Sequence, residues 1–292
     1  MTPKRILVAA DFSPAADLAV RRALALARRY KAELRLVHAV PPLRSLEGLF
    51  PSRRQWTEEV SARAAAALKA QAKRLVTDKR IDVSTGLLSG RASAAIAGAV
   101  ADFQPDLLVM GARGEGRLPS TKSGLGGTAT KLIRSTEVPL LLVRRPEIEL
   151  PGKVLVASDL TPASVSVARW ANSIAAAGEL TAVHVFEAPF AERLRVYGVS
   201  RKTIDVYAAD QSADLEQAMR TILAGADIDN RVNCLVLRGE ARRVISAQLR
   251  KLNIDTLVMG KHTRRKRSAT APDGSVCRYL AYFAPVDVLV VP

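Results

Sequence analysis

Two periods of hydrophobicity alternate along the chain. In the first half, short and nearly unbroken runs of Val, Leu and Ile stand at roughly 5–10, 34–40, 81–88, 106–110 and 139–143. Between them, near 14–30, 56–79, 92–103 and 127–136, apolar residues recur at the helical spacing. Strand–helix alternation with strands apolar on both faces predicts a parallel sheet covered by helices on each side. Its crossovers are expected to be right-handed. The helix at 14–30 shows the pattern well. Ala16, Ala19, Ala23, Leu26 and Tyr30 form an apolar stripe, and Arg21, Arg22, Arg28 and Arg29 are expected on the solvated side.

The pattern then repeats. "KRILVAADFSPAADLAV" returns as "GKVLVASDLTPASVSVA", "AELRLVHAV" as "GELTAVHVF", "DLLVMGARG" as "DTLVMGKHT", and "STEVPLLLVRR" as "YFAPVDVLVVP". Asp11 recurs at Asp159, His38 at His184 and Met110 at Met259, a nearly constant displacement. Each half is long enough to be a whole domain rather than a solenoid repeat. The expected domains are 1–146 and 151–292, joined by the Pro-flanked charged segment 144–153. Both first helices open alike, with Ser13-Pro14 and Thr161-Pro162 each reading as an N-cap hydroxyl followed by Pro at the first helical position.

Composition narrows this further. Of 292 residues 48% are hydrophobic but only 4% aromatic, so the cores rest on Ala, Val, Leu and Ile. No apolar run approaches the ~20 residues of a membrane span. The N-terminal apolar stretch is short and interrupted by Asp11, unlike a secretory leader. The two cysteines, Cys234 and Cys277, lack metal-ligand spacing and read as inert packing residues. A cytoplasmic protein is expected, without a membrane partner. The formal charge of +16, carried mainly by the first half, suits an anionic partner. It suits equally well a set of solvated helix faces.

Candidate chemistry gathers where strands end, since ligands of such sheets bind at the carboxyl ends where the strand order reverses. Asp11 and Asp159 end the first strand of each half. Each carboxylate can accept hydrogen bonds from a ligand, or from the following turn. The fourth strand ends at Met110-Gly111, with Gly114 three residues on and Gly127-Thr128 where the last helix begins. Glycine admits close backbone approach to an anion, and a helix start offers unpaired N–H groups and partial positive charge. The pattern suits a triphosphate cradle, although no P-loop signature is present. Arg113 and Lys122 lie in the same loop and could neutralise phosphate. His38 and His184 lie inside apolar strands with no nucleophile or metal ligand nearby in the motif, and read as structural. Trp56 either covers the ligand mouth or simply packs. No catalytic pair or triad is evident, and no metal set.

On these residues each half resembles a universal stress protein domain. The matching pieces are "VAADFS", "LRLVHAV", "GRASAAIAGAVADFQPDLLVMGARG", "GTATKLI" and "VPLLLVRR". The chain is thus similar to the tandem members of that family. The resemblance implies two Rossmann-like α/β domains, each a parallel sheet of five strands in the order 3-2-1-4-5 with helices on both faces. It also implies, for the ATP-binding branch, a GxxG–(nine residues)–G[S/T] motif. Carried onto this sequence, it places adenosine near Ala9, Asp11 and Ala39, with Asp11 as the adenine-side carboxylate. Met110, Gly111 and Gly114 would line the ribose and phosphates, and Gly127, Thr128 and Ala129 would hold the phosphates. Gly124 has the family spacing but is followed by Leu125, so Gly127-Thr128 is assigned and the loop is three residues longer.

The second half departs more. Asp159, Val185, Gly260, Gly274 and Ser275 are weaker candidates, because Thr263 replaces the second glycine and "RRKR" follows at 264–267. The resemblance implies ATP, with Mg²⁺ on its phosphates, a sensor or adaptor role with at most slow hydrolysis, an unnamed protein partner, and a homodimer. The adenylate-forming relatives of such folds carry SGGxDS after the first strand, where "VAADFS" stands here. The competing expectation is an interaction protein whose basic surface binds nucleic acid.

Overall fold

The computed structural model describes residues 2–41, 53–76, 81–114, 124–146, 150–175, 178–187, 196–228, 232–261 and 275–292, with side chains throughout except at 53–57, 205, 208 and 275. The chain forms two compact units, Thr2–Leu150 and Pro151–Val291.

In the first unit β1 (Arg5–Ala9), β2 (Glu33–Val40), β3 (Val83–Ser89), β4 (Leu107–Gly111) and β5 (Leu140–Val143) alternate with α1 (Pro14–Tyr30), α2 (Arg53–Leu75), α3 (Ala92–Phe103) and α4 (Gly127–Ser135). All pairings are parallel and the order is β3-β2-β1-β4-β5. The order therefore reverses at β1, and the carboxyl ends of β1 and β4 flank the resulting crevice. The central strands are buried on both faces: Ile6, Leu7 and Val8 are fully buried, as are Leu107, Leu108 and Val109.

The start of α1 follows from its sequence. The Ser13 hydroxyl accepts from the Ala16 amide at 3.2 Å, and Pro14 fills the first helical position, where no N–H is needed. Ala16, Ala19, Ala23 and Ala27 then let the helix lie close on the sheet. Arg22 corrects the expected polar stripe. It is only 4% exposed, because it shares a helix face with Leu26 four residues on. Helix α2 spans Arg53–Leu75 rather than 56–79, and the Trp56 side chain and 77–80 lie outside the described residues. It is tied to α1 by Gln71 and Arg74, which both donate to Asp17 at 2.6 Å.

The second unit repeats the plan. Strands β6 (Lys153–Ala157), β7 (Glu179–Phe186), β8 (Asn233–Arg238), β9 (Thr256–Gly260) and β10 (Asp287–Val291) alternate with α5 (Ala163–Ala175), α6 (Arg201–Gly225), α7 (Ala241–Lys251) and α8 (Ser275–Phe283). The order is β8-β7-β6-β9-β10, again parallel throughout. Here the expected cap differs. Helix α5 begins at Ala163, after turns closed by Ser164 N–H to Thr161 O and Val165 N–H to Pro162 O. The Thr161 hydroxyl donates to Asp159 at 2.7 Å.

A repeated clasp at the opposite end of the sheet escaped sequence reading. One oxygen of Asp106 accepts from the amides of Lys4 and Arg5, at 2.7 and 3.0 Å. Asp255 does the same for Gly152 and Lys153, both at 2.9 Å. Each aspartate immediately precedes the fourth strand of its unit and pins the start of the first, which sets the register between them.

Candidate nucleotide site

In the first unit a cavity of about 410 Å³ opens at the carboxyl ends of β1, β2 and β4. Ala9 and Asp11 line it from β1 and the following turn, Ala39 from β2, and Met110 and Gly111 from β4. Gly114 lines it from the loop, and Gly127, Thr128 and Ala129 from the first turn of α4. All nine residues singled out in the first half thus meet in one cavity. Arg113 lines it too, while Lys122 lies outside the described residues.

Asp11 is held by the turn it begins. One carboxylate oxygen accepts from the Ser13 amide at 3.2 Å and from its hydroxyl at 2.5 Å. The turn needs Phe12 in the left-handed region, at φ 64°, and Leu160 repeats this at φ 59°. Non-glycine residues hold such a backbone only where the surroundings impose it. The other Asp11 oxygen lies against Gly114, where a Cβ would overlap it. Glycine is therefore needed at Gly114 for close approach to a carboxylate, while Gly124 is needed for its own φ of 143°. The glycine at the family spacing thus shapes the loop, and it does not line the cavity.

The α4 terminus is poised for an anion. Its N-cap is Gly126, with no side-chain capping bond, and the Gly126 amide is occupied by the Ala112 carbonyl at 2.9 Å. Gly127, Thr128 and Ala129 follow, and a Cβ built on Gly127 meets nothing within 4 Å. A second helix, α3, also opens beside the cavity through Ala92, and its N-cap Arg91 likewise makes no side-chain capping bond. Away from these termini Val37 and Ile96 stand beside Ala9 and Ala39, with Asp11 among them. Sequence reading missed Ile96 and Ala92, because their helix register places them at the mouth and no motif marks them.

His38 also lines the cavity, and its Nδ1 lies 2.8 Å from the Ala10 carbonyl oxygen. His184 repeats the bond to Ser158 at 2.9 Å. The structural role expected of both is thus visible in each unit.

In the second unit Asp159 lies two residues beyond the end of β6 and Val185 lies on β7, while Gly260 ends β9. Ser275 opens α8, and Gly274, Thr263 and 264–267 lie outside the described residues. One Asp159 oxygen accepts from the Thr161 amide and hydroxyl and from the Ser164 hydroxyl, the last at 2.9 Å, while the other is buried with no hydrogen-bond partner among the described residues. Cys277 is buried in α8, and burial pushes its thiol up to about 12. Cys234 is half-buried on β8, and burial raises its pKa too, so neither thiol is activated. No group of three or more metal-ligating side chains stands among the described residues. No helix of the described residues is long and apolar enough to cross a membrane.

The family model for the Universal stress protein family matches twice, over residues 2–144 and 151–292. The chain belongs to the universal stress protein family. It holds two such domains in tandem. A curated relative, the universal stress protein in the QAH/OAS sulfhydrylase 3' region of Thermus aquaticus, is 35% identical over 144 residues, covering 48% of this chain and 98% of the relative. Among solved structures, a putative universal stress protein from Pseudomonas aeruginosa UCBPP-PA14 has a TM-score of 0.69 at 19% identity, covering 99% of this chain and 93% of that one. A universal stress protein from Archaeoglobus fulgidus DSM 4304 has a TM-score of 0.68 at 17% identity, covering 100% and 96%. At these identities the solved universal stress proteins establish the shared α/β fold.

Proposed function

We propose that the first unit of this universal stress protein binds ATP, and that the chain works as a nucleotide-dependent sensor or adaptor in a stress response. The observation that carries the reading is the polarity of the cavity. One end is built from uncapped amides at the start of α4, with Arg113 and the open Gly127 beside them. Such a terminus favours phosphate through its N–H groups and its partial positive charge. The other end, between β1, β2 and α3, is lined mainly by Ala9, Val37, Ala39 and Ile96 and suits a purine base. The cavity volume falls within the range of ~300–1,000 Å³ common for small-molecule sites.

Mg²⁺ would arrive on the phosphates, since the cavity offers one carboxylate, Asp11, already engaged with Ser13. Among the described lining residues no nucleophile is paired with a base, which suits binding with at most slow hydrolysis. Ligand occupancy would act by changing the surface offered to a protein partner. We assign a single site per chain, because the second unit turns the Ser164 hydroxyl onto Asp159 and places Val185 where the first has Ala39.

Calorimetric titration of the full chain with ATP·Mg²⁺ tests this. Saturable binding near one equivalent is expected. A folded chain that takes up no ATP would end the proposal, and two equivalent sites would end the assignment to the first unit.

A further inference from the structure

Helices α7 and α8 of the second unit pack together and carry a surface that the first unit lacks. In α8 Cys277, Leu280 and Ala281 are buried. Arg278, Tyr279, Tyr282 and Phe283 lie along the other side of the helix, as their spacings of three and four residues require. The Phe283 ring stands 4.8 Å from the Tyr279 ring and 4.7 Å from the Tyr282 ring, and the Arg242 guanidinium of α7 stands 5.4 Å from the centre of Tyr279. These four side chains form one continuous cluster, in which both tyrosines are half-buried and Phe283 is 49% exposed. Every charge on the two helices is positive. Helix α7 carries Arg242, Arg243, Arg250 and Lys251, and α8 carries Arg278, all of them exposed. Arg242 is held by Glu240, the cap of α7, while the side chains of the other four make no ion pair among the described residues. The first unit supplies the comparison. At the matching positions α3 has Ser93, Ala94, Ala101 and Asp102, and α4 has Lys131, Arg134 and Ser135 in place of the three rings. The same fold is therefore built without this cluster.

From this arrangement we propose that the α7–α8 face of the second unit binds single-stranded nucleic acid. An exposed ring offers a stacking face to an unpaired base, and the arginines and lysine around it neutralise backbone phosphates. The combination selects among anionic partners. An acidic peptide would use the charges and leave the rings without a planar partner. A duplex would offer its phosphates and keep its base faces stacked on one another. The proposal draws on no residue of the first unit and stands apart from the ATP reading.

Fluorescence anisotropy of the full chain with a labelled oligo(dT) of about 20 nucleotides, without ATP, tests the proposal. The basic first half can also attract this probe, so variants of the second unit decide. Phe283→Ala should weaken binding about 10-fold and leave its salt dependence unchanged, and Phe283→Trp should restore it. Arg243→Ala combined with Arg250→Ala should instead flatten the plot of log affinity against log salt by about 0.7 for each charge removed. All three side chains are exposed, so the variants should keep the wild-type circular dichroism. A duplex of the same length should bind more weakly than the single strand. Binding that responds to the arginines and ignores Phe283 would reduce the face to generic positive charge and overturn the proposal. Duplex binding as tight as the single strand, or no binding near about 0.1 M salt, overturns it too. So does a self-association, seen by sedimentation, that Phe283→Ala abolishes while oligo(dT) affinity stays the same. Capture of the chain by phosphatidylserine–phosphatidylcholine vesicles with none by oligo(dT) would assign the face to a membrane surface and equally overturn the proposal.

Discussion

Replacing Gly114 with alanine tests the union of Asp11 and the phosphate loop. The backbone of Gly114 is not in the left-handed region, so alanine brings no intrinsic strain there. The cost comes from one contact. The new Cβ would overlap an Asp11 carboxylate oxygen, and the side chain must rotate away. Asp11 is short and anchored, accepting from the amide and hydroxyl of Ser13. Rotation forfeits both bonds and loosens the hydroxyl that caps α1 at Ala16. Hydrogen bonds to charged acceptors contribute about 1.5–3 kcal/mol each when the acceptor is well buried. At this half-exposed turn a total of about 1–3 kcal/mol is expected. For a unit of this size that lowers the melting temperature by roughly 2–4 °C per kcal/mol. The displaced carboxylate also leaves the position in which it lines the cavity, so ATP affinity should fall about 10-fold or more. Thermal melts and calorimetric titration read the two effects. Combining Gly114→Ala with Asp11→Ala removes the clash, so the double variant should be no less stable than Asp11→Ala alone. If Gly114→Ala melts with the wild type and binds ATP unchanged, or if its effect adds fully to that of Asp11→Ala, the reasoning fails.

Gly127→Ala should separate stability from binding. Its Cβ meets nothing in the protein, so stability should hold or rise by up to about 1 kcal/mol from reduced backbone entropy, while the methyl in the phosphate cradle weakens ATP binding on titration. Asp106→Ala and Asp255→Ala each strip an acceptor from two backbone amides. Each should destabilise its unit by about 1–3 kcal/mol in urea unfolding, and Asp106→Ala should lower ATP affinity only through that loss of stability. Cys277 should resist a thiol reagent in the native chain and react once urea unfolds it. Because its folded pKa of about 12 lies above the unfolded value, the folded state holds the proton longer. Its contribution is complete below the usual thiol pKa and lost as pH rises toward 12, so the alkaline fall in urea midpoint should be shallower in Cys277→Ala.

Much of the fold was legible because it rests on local signals. The strands at 5–10 and 106–110 read out as Arg5–Ala9 and Leu107–Gly111, since strands buried on both faces leave unbroken apolar runs. Ser13-Pro14 marked the start of α1. Its counterpart Thr161-Pro162 misled, because the Ser164 amide donates to the Thr161 carbonyl rather than to its hydroxyl, and α5 begins only at Ala163. Met110, Gly111, Gly114, Gly127 and Thr128 could be collected because the loop that follows β4 and the start of α4 carry glycines, and Asp11 because it follows a strand, whereas Ala9, Ala39 and Ala129 came from the family resemblance. Ile96 and Ala92 could not, since their roles depend on how separate elements converge. Arg22 likewise escaped, as burial at the edge of a helix face is decided by packing rather than by residue type.

The duplication separates scaffold from site. Asp106 and Asp255, His38 and His184, and Phe12 and Leu160 do the same structural work in both units. The differences fall at positions that line the first cavity. Ala16 becomes Ser164, which turns its hydroxyl on Asp159. Ala39 becomes Val185 by register on the paired strands. At the matching first turns of α4 and α8, Thr128 and Ala129 give way to Val276 and Cys277. The α3 terminus is uncapped in the first unit. In the second, Glu240 caps α7 by accepting from the amides of Arg242 and Arg243, and the hydrogen bond from the Arg242 side chain holds its carboxyl below the usual range. Three of the positions, Ala16, Ala39 and Ala129, gain side-chain atoms in the second unit, and the exchange of Thr128 for Val276 replaces a hydroxyl by a methyl. A scaffold kept twice, with cavity-lining positions that differ between the units, accords with the proposed assignment of one nucleotide site to the first unit.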